Sequence, residues 1–362
     1  GKPLKPGNEL DQALNEVSKD LMKSPPLPSI PKPPRFETER SNSPKVIQVA
    51  SPLYPKDSKV ATRQAIGDAF VALGKADSRI WSISADTSNS TYSDKFTKEF
   101  PDRSVECYIA EQNMAGIAAG LAARGLIPFV STFGAFLARA FDQIRMTALS
   151  GLNVKYFGTH AGVSIGEDGP SQMALEDLAA FRTLQNSVVL YPSDAISAYA
   201  CIVNMANYHG PAYIRLSRPA TPLIYSPDEQ FEIGDAKLVV SSNAPKLSII
   251  SAGVVLHEVL KAVKELNVDC LQVIDLYCLK PFPRAKLLKL LESSNGRCIV
   301  FEEHAAEGGV GESVASGLAG HIREWNHVAV SRIPRSGPPE EQLDSFGLSA
   351  KSIKEKIQKI LG

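Results

Sequence analysis

From Ala61 onward the chain alternates short apolar runs with segments of helical period, and that alternation confines it to an α/β architecture on mostly parallel sheets. Ile80–Ala85, Val105–Ala110, Ile127–Thr132, Val154–Thr159, Val188–Tyr191 and Ala212–Leu216 read as strands, with helices over 112–124, 135–149 and 194–207. The first of these helices is rich in Ala and Gly, which predicts a closely packed, buried element. After Pro219–Pro227 the pattern restarts, with strands at Leu247–Ser251, Cys270–Leu276, Cys298–Phe301 and Val328–Ile333 and helices near 254–266, 284–293, 310–323 and 349–361. The expected fold is two consecutive three-layer α/β/α domains, residues 59–226 and 227–362. A length of 362 residues suits two cores better than one.

Residues 1–58 follow neither pattern. Leu10, Leu14, Val17 and Leu21 predict one short amphipathic helix, and the run from Ser24 to Pro34 holds too many prolines for helix or central strand. The segment is expected to be a Pro-rich linker following another domain, in keeping with a first residue of Gly rather than Met.

Charge narrows the partners. Lys and Arg number 39, as do Asp and Glu, so the broad positive footprint of a nucleic-acid or anionic-membrane binder is missing. Any anion must therefore meet a local cluster. No run reaches the roughly 18 apolar residues of a membrane helix, and the amino end lacks the apolar core of a secretory signal. The five cysteines are scattered, with no Cys-x-x-Cys pair, and point to a reducing, cytoplasmic location.

Ligands of open parallel sheets gather beyond the carboxyl ends of strands. Glu111 stands at such a place, where either a first-turn acid favoured by the helix dipole or a partly buried acid/base carboxylate accounts for it. Phe133 and Phe136, three apart at a strand-to-helix junction, fit core packing or a stacking platform for a planar ring. The loop Thr159–Gln172 is long, polar and Gly-bearing, as functional loops commonly are. Its His160 and later acids lack metal-ligand spacing, so no metal site is expected in this chain. Arg63 opens the first α/β unit, and Arg215 and Arg218 lie at the end of its last expected strand, where guanidinium forks serve phosphate recognition, although solvation alone explains most arginines. The Gly-rich stretch 307–312 lacks both dinucleotide and P-loop spacing and reads as a tight strand-to-helix turn.

Taken together, Ala61-Thr62-Arg63, Asp86–Thr91, Ala110–Asn113, Ser131–Phe133, Arg145-Met146, His160–Asp177 and Ser217–Pro219 resemble transketolase of the animal-like kind. The likeness continues through Glu302-Glu303-His304, Glu307–Gly311 and Ile333–Gly337, about 300 residues from Lys59 onward, and Gly162–Asp177 is its most specific block.

The resemblance implies the pyrimidine-binding and carboxyl-terminal domains of a thiamine diphosphate enzyme. Such an enzyme moves a two-carbon ketol unit between sugar phosphates in the pentose phosphate pathway, as a homodimer or with a separate diphosphate-binding chain. An amino-terminal domain would hold the diphosphate and a divalent metal, Mg or Ca. Its GDG signature followed by Asn has no match here, so this chain alone is expected to be inactive. By the same resemblance Glu111 hydrogen-bonds a ring nitrogen of the aminopyrimidine, Phe136 stacks on that ring with Phe133 beside it, and Gln172 lies near its amino group. Arg63, Ser90 and Arg218 hold the sugar phosphate, while His160 and Asp168 bond the substrate hydroxyls. Two other readings stand beside this one: a beta subunit of a 2-oxo acid dehydrogenase, which shares the two-domain layout, and a non-catalytic, dimerising transketolase-like fragment.

Overall fold

A computed structural model describes residues 6–21 and 46–362, in two compact units, 1–44 and 45–362. The first unit holds the helix Asn8–Leu21, in which Leu14 and Val17 of the expected apolar stripe are exposed. The Pro-rich run 24–34 lies outside the described residues.

Among the described residues of the second unit the strands are β1 (Lys59–Ala61), β2 (Ile80–Ser84), β3 (Ser104–Glu106), β4 (Ile127–Phe133), β5 (Lys155–Thr159), β6 (Val188–Leu190), β7 (Ala212–Arg215), β8 (Ala220–Pro222), β9 (Lys237–Val240), β10 (Leu247–Ser251), β11 (Leu271–Asp275), β12 (Cys278–Lys280), β13 (Arg297–Ala305) and β14 (Glu324–Val330). They form a seven-stranded sheet in the order β12-β6-β7-β5-β4-β2-β3, a five-stranded sheet β14-β13-β10-β11-β9, and the small ladder β1-β8. Both large sheets are parallel except at one edge, where β12 runs antiparallel to β6 and β9 to β11.

Period-two alternation explains why the first sheet is covered on both sides. Val130, Tyr156 and Tyr213 face one apolar cluster, with Met114, Ala118 and Ile144, while their neighbours Phe129, Phe157 and Ile214 face another, with Ile66, Phe70 and Ile202. The first cluster runs on into Ile250, Ile274 and Val300 of the second sheet, so one core joins the two sheets. The opposite face of the second sheet is sealed by Val255 and Val259 of the helix Gly253–Leu266 and by Ile353 and Ile357 of the helix Ala350–Leu361.

Several elements depart from the sequence expectation, each for a local reason. The strand expected to reach Ala110 stops at Glu106, because its carboxylate accepts the backbone N–H groups of Asp86 and Tyr108, both at 2.8 Å, and turns the chain. The helix expected at 135–149 is a 3-10 helix, Gly134–Ala140, followed by an α-helix, Phe141–Leu149. The Ala/Gly helix Glu111–Ala123 is buried on one face only: Met114, Ala115 and Ala118 are inside, whereas Gly116 and Gly120 are exposed with open space beside them. The helix Val310–Gly317 ends short of 323, at a glycine against the Phe282 ring. β14 begins at Glu324 rather than Val328, since a half-buried edge strand needs few apolar residues. Residues 46–58, read as linker, already touch the core: Ile47 is buried and exchanges two backbone hydrogen bonds, of 2.8 and 3.0 Å, with the Asn207 side chain.

Candidate active site

The short β1-β8 ladder sets the position of two arginines far apart in sequence. Its register, Ala61 opposite Ala220, carries Arg63 at the start of the helix Thr62–Ala76 to the neighbourhood of Arg218, which precedes β8. Ser217 N–H donates to Thr62 Oγ1 at 3.2 Å and closes the junction. Arg63 Nε then donates to the Arg218 carbonyl at 3.4 Å, and its Nη1 to the Ser90 carbonyl at 2.6 Å. Arg218 Nη1 in turn donates to the Ile165 carbonyl at 3.0 Å and to Asp168 Oδ2 at 3.3 Å.

The parallel pairing of β4 with β5 places Phe133 opposite Thr159, so His160 emerges beside Phe133. Their rings stack at 3.8 Å between centroids, and Phe136 also stacks on Phe133, at 5.2 Å. His160 is buried, with φ at +56°, and its Nδ1 shares a 2.9 Å hydrogen bond with Thr159 Oγ1. Burial, reinforced by the Arg63 and Arg218 charges, pulls the imidazole pKa down to about 3, so the ring is neutral across the physiological range. Burial, and the like charge of Arg218, also work against the charge on Arg63. Two guanidinium groups so close make a local site that an oxyanion would complete, in a chain whose net charge is zero.

Glu111 and Gln172 make no hydrogen bond to any of these residues. Glu111 is buried in the first turn of its helix; its Oε2 has no hydrogen-bond partner and lies 3.3 Å from Nε of Arg139, an ion pair of poor geometry. Arg139 and Phe136 are one turn apart on the 3-10 helix Gly134–Ala140, which ties the carboxylate to the aromatic face. Gln172 is half-buried on the 3-10 helix Pro170–Gln172.

Arg215 requires a correction. Three residues before Arg218, it is wholly buried rather than available to an anion: Nη1 donates to Asp177 Oδ1 at 2.5 Å, Nη2 to the Glu303 carbonyl at 2.9 Å, and its guanidinium lies 4.9 Å from the Tyr191 ring centre. The Gly-rich turn behaves as expected, and its helix N-terminus is already filled from within. Glu302 accepts the N–H groups of Val310 and Gly311 at 2.6 and 2.7 Å. Arg139 and Glu303 are not among the residues that the sequence marks as a site. The spacing of three between Phe136 and Arg139 on one helical face is the available signal for the former; for Glu303 there is only its place near the end of β13. Among the described residues no three His, Cys, Asp or Glu gather where a metal could bind, and no helix is long and apolar enough to cross a membrane.

Residues 58–223 match the family described as transketolase, pyrimidine binding domain, and residues 235–353 the transketolase, C-terminal domain. Bovine transketolase-like protein 1 is 43% identical over 365 aligned positions, which take in 100% of this chain and 61% of that protein. Human transketolase is 42% identical over 365 positions, 100% of this chain and 58% of that protein. The chain therefore spans about three fifths of the length of these curated relatives. A solved structure named "Split gene transketolase, inactive beta4 tetramer" is 36% identical and superposes with a TM-score of 0.75 over 83% of this chain and 98% of its own.

Proposed function

The chain belongs to the transketolase family, and from that premise we propose that it supplies the pyrimidine-binding and sugar-binding half of a ketol-transfer site. The full reaction would move a two-carbon unit from a ketose phosphate to an aldose phosphate, in the pentose phosphate pathway. The observation that carries this reading is that the hydrogen-bonded Arg63 and Arg218 act electrostatically on the buried His160, which itself stacks on Phe133 beside Phe136, so that a cationic pair and an aromatic face flank one imidazole.

The chain's residues fit the aminopyrimidine half of thiamine diphosphate. Glu111 keeps a buried oxygen without a hydrogen bond, which a protonated ring nitrogen or amino group would satisfy. Phe136 would lie against the ring, and the Gln172 amide can offer a donor or an acceptor to the amino group. When bound, the cofactor supplies the electron sink for breaking a ketose carbon–carbon bond. Glu111 would hold or accept a proton at the ring nitrogen. Arg63 and Arg218, with the Ser90 hydroxyl, would bind the sugar phosphate by charge-assisted hydrogen bonds. Neutral His160, with Nδ1 held by Thr159, has Nε2 left for a sugar hydroxyl, and Asp168 would accept another.

Diphosphate and divalent metal are assigned to a different segment or chain. Pairing with a second copy or with a separate diphosphate-binding chain is supported by Tyr108 and Ile109, which are 70% and 71% exposed just before the Glu111 helix. A cytoplasmic location is supported by five free cysteines. The reading is tested by offering xylulose 5-phosphate or pyruvate to the chain combined with a diphosphate-binding partner. Turnover of the sugar phosphate supports it; turnover of pyruvate instead would favour a 2-oxo acid dehydrogenase.

A further inference from the structure

The loop that carries His160 and Asp168 is shaped by the second half of the chain. Its backbone takes positive φ at His160 (56°), Gly162 (94°), Gly166 (73°) and Gly169 (81°), a costly sequence of turns unless neighbouring groups fix it. Those neighbours come from beyond β12. A Cβ on Gly162 would fall 2.3 Å from the Glu303 carboxyl, on Gly166 2.8 Å from Pro339, and on Gly169 2.4 Å from Ser336 Oγ. The loop backbone thus lies directly on these three groups, which only glycine allows.

Glu303 also bonds the loop. Its Oε2 accepts Ser164 N–H at 2.9 Å, its Oε1 accepts the Tyr191 hydroxyl at 3.0 Å, and its carbonyl accepts Arg215 Nη2 at 2.9 Å. The side chain is wholly buried, with both carboxylate oxygens facing donors and the Arg215–Asp177 pair beside it. Ser164 lies four residues after His160 and four before Asp168, at the centre of the segment that must present both side chains.

We propose that Glu303 is a positioning residue for sugar recognition, fixing the 160–168 loop so that His160 and Asp168 meet the hydroxyls of the bound sugar. The proposal rests on the function proposed above and gives the carboxyl-terminal half a task in substrate choice.

Three variants test it in the chain combined with its diphosphate-binding partner. Glu303→Leu keeps the size but removes the acceptor; Glu303→Gln keeps an oxygen for Ser164 N–H and an amide that can donate to Tyr191. Gly162→Ala leaves Glu303 in place and pushes the loop off it. The expected result for Glu303→Leu and Gly162→Ala is a rise of about tenfold in KM for xylulose 5-phosphate, with kcat within about twofold and thiamine diphosphate affinity unchanged, the scale of roughly one buried hydrogen bond. Glu303→Gln should recover most of the KM. The proposal is overturned if Glu303→Gln is as impaired as Glu303→Leu, if cofactor affinity falls in step with KM, or if Gly162→Ala is normal. Amide hydrogen exchange at Ser164 in the chain alone separates this from the wider reading. Faster exchange in Glu303→Leu than in Glu303→Gln supports the loop contact even if the wild-type complex transfers no ketol unit, and equal exchange overturns it.

Discussion

Arg139 Nε stands 3.3 Å from Glu111 Oε2, joining a guanidinium that is 66% exposed to a carboxylate that is 5% exposed. The pair is lopsided: the acid is buried in the protein, and its partner is mostly in solvent. A half-solvated pair of this kind contributes on the order of 1 kcal/mol or less to folding. Arg139 is therefore a counter-charge that the ring nitrogen of the proposed cofactor would replace.

Replacing the acid tests that reading. Glu111→Gln keeps the shape and removes the proton acceptor, so the chemical step in the reconstituted enzyme should fall by a factor on the order of 10² or more. The urea midpoint should hardly change. Near-normal turnover would remove Glu111 from its assigned role.

Arg218 faces both the proposed anion site and the loop, through the Ile165 carbonyl and Asp168. If its main task is phosphate binding, Arg218→Ala should raise KM for phosphorylated donors strongly while leaving a non-phosphorylated donor nearly unaffected. Steady-state kinetics on both donors decide the matter, and equal losses would assign Arg218 to holding the loop.

A pH dependence of stability follows from Lys155. Its side chain is wholly buried on β5, and Nζ donates to the carbonyls of Tyr208 and Gly210 at 2.6 and 2.7 Å. Burial pulls its pKa down to about 7, against 10.5 for the free side chain. Between those values the unfolded chain binds more protons than the folded one, so stability should rise with pH from about 7 to 10.5 and be lost as pH falls back to 7. The slope per proton is at most about 1.4 kcal/mol per pH unit. Urea unfolding of the wild type and Lys155→Met at pH 7 and pH 9 isolates this group. The wild type should gain stability relative to the variant at the higher pH, and parallel behaviour would refute the assignment.

How much of this was legible in the sequence depended on the range of the interaction. Local alternation located most strands of both sheets, because Phe129 and Val130, or Tyr156 and Phe157, must face opposite clusters on a covered sheet. β12 was not legible, since three residues pairing back onto β6 leave no periodic trace. The proximity of Arg63 and Arg218 depends on the equally short β1-β8 ladder; their family likeness suggested it, and their spacing of 155 residues could not. Arg215 and Arg218 looked alike as residues near a strand end. Only the fold separates them, since Arg215 ends β7 inside the buried Asp177 network and Arg218 follows beyond the strand. Glu303 was illegible as a loop support because its partner, Ser164 N–H, lies 139 residues away and involves no side chain of the loop.

On the proposed function, this chain holds one half of a divided site. The most direct measurement is ketol transfer from xylulose 5-phosphate, with thiamine diphosphate and Mg²⁺ supplied, by the purified chain alone and after addition of a diphosphate-binding transketolase domain in trans. No transfer is expected from the chain alone, and turnover is expected on addition of the domain. Transfer by the chain alone would contradict it.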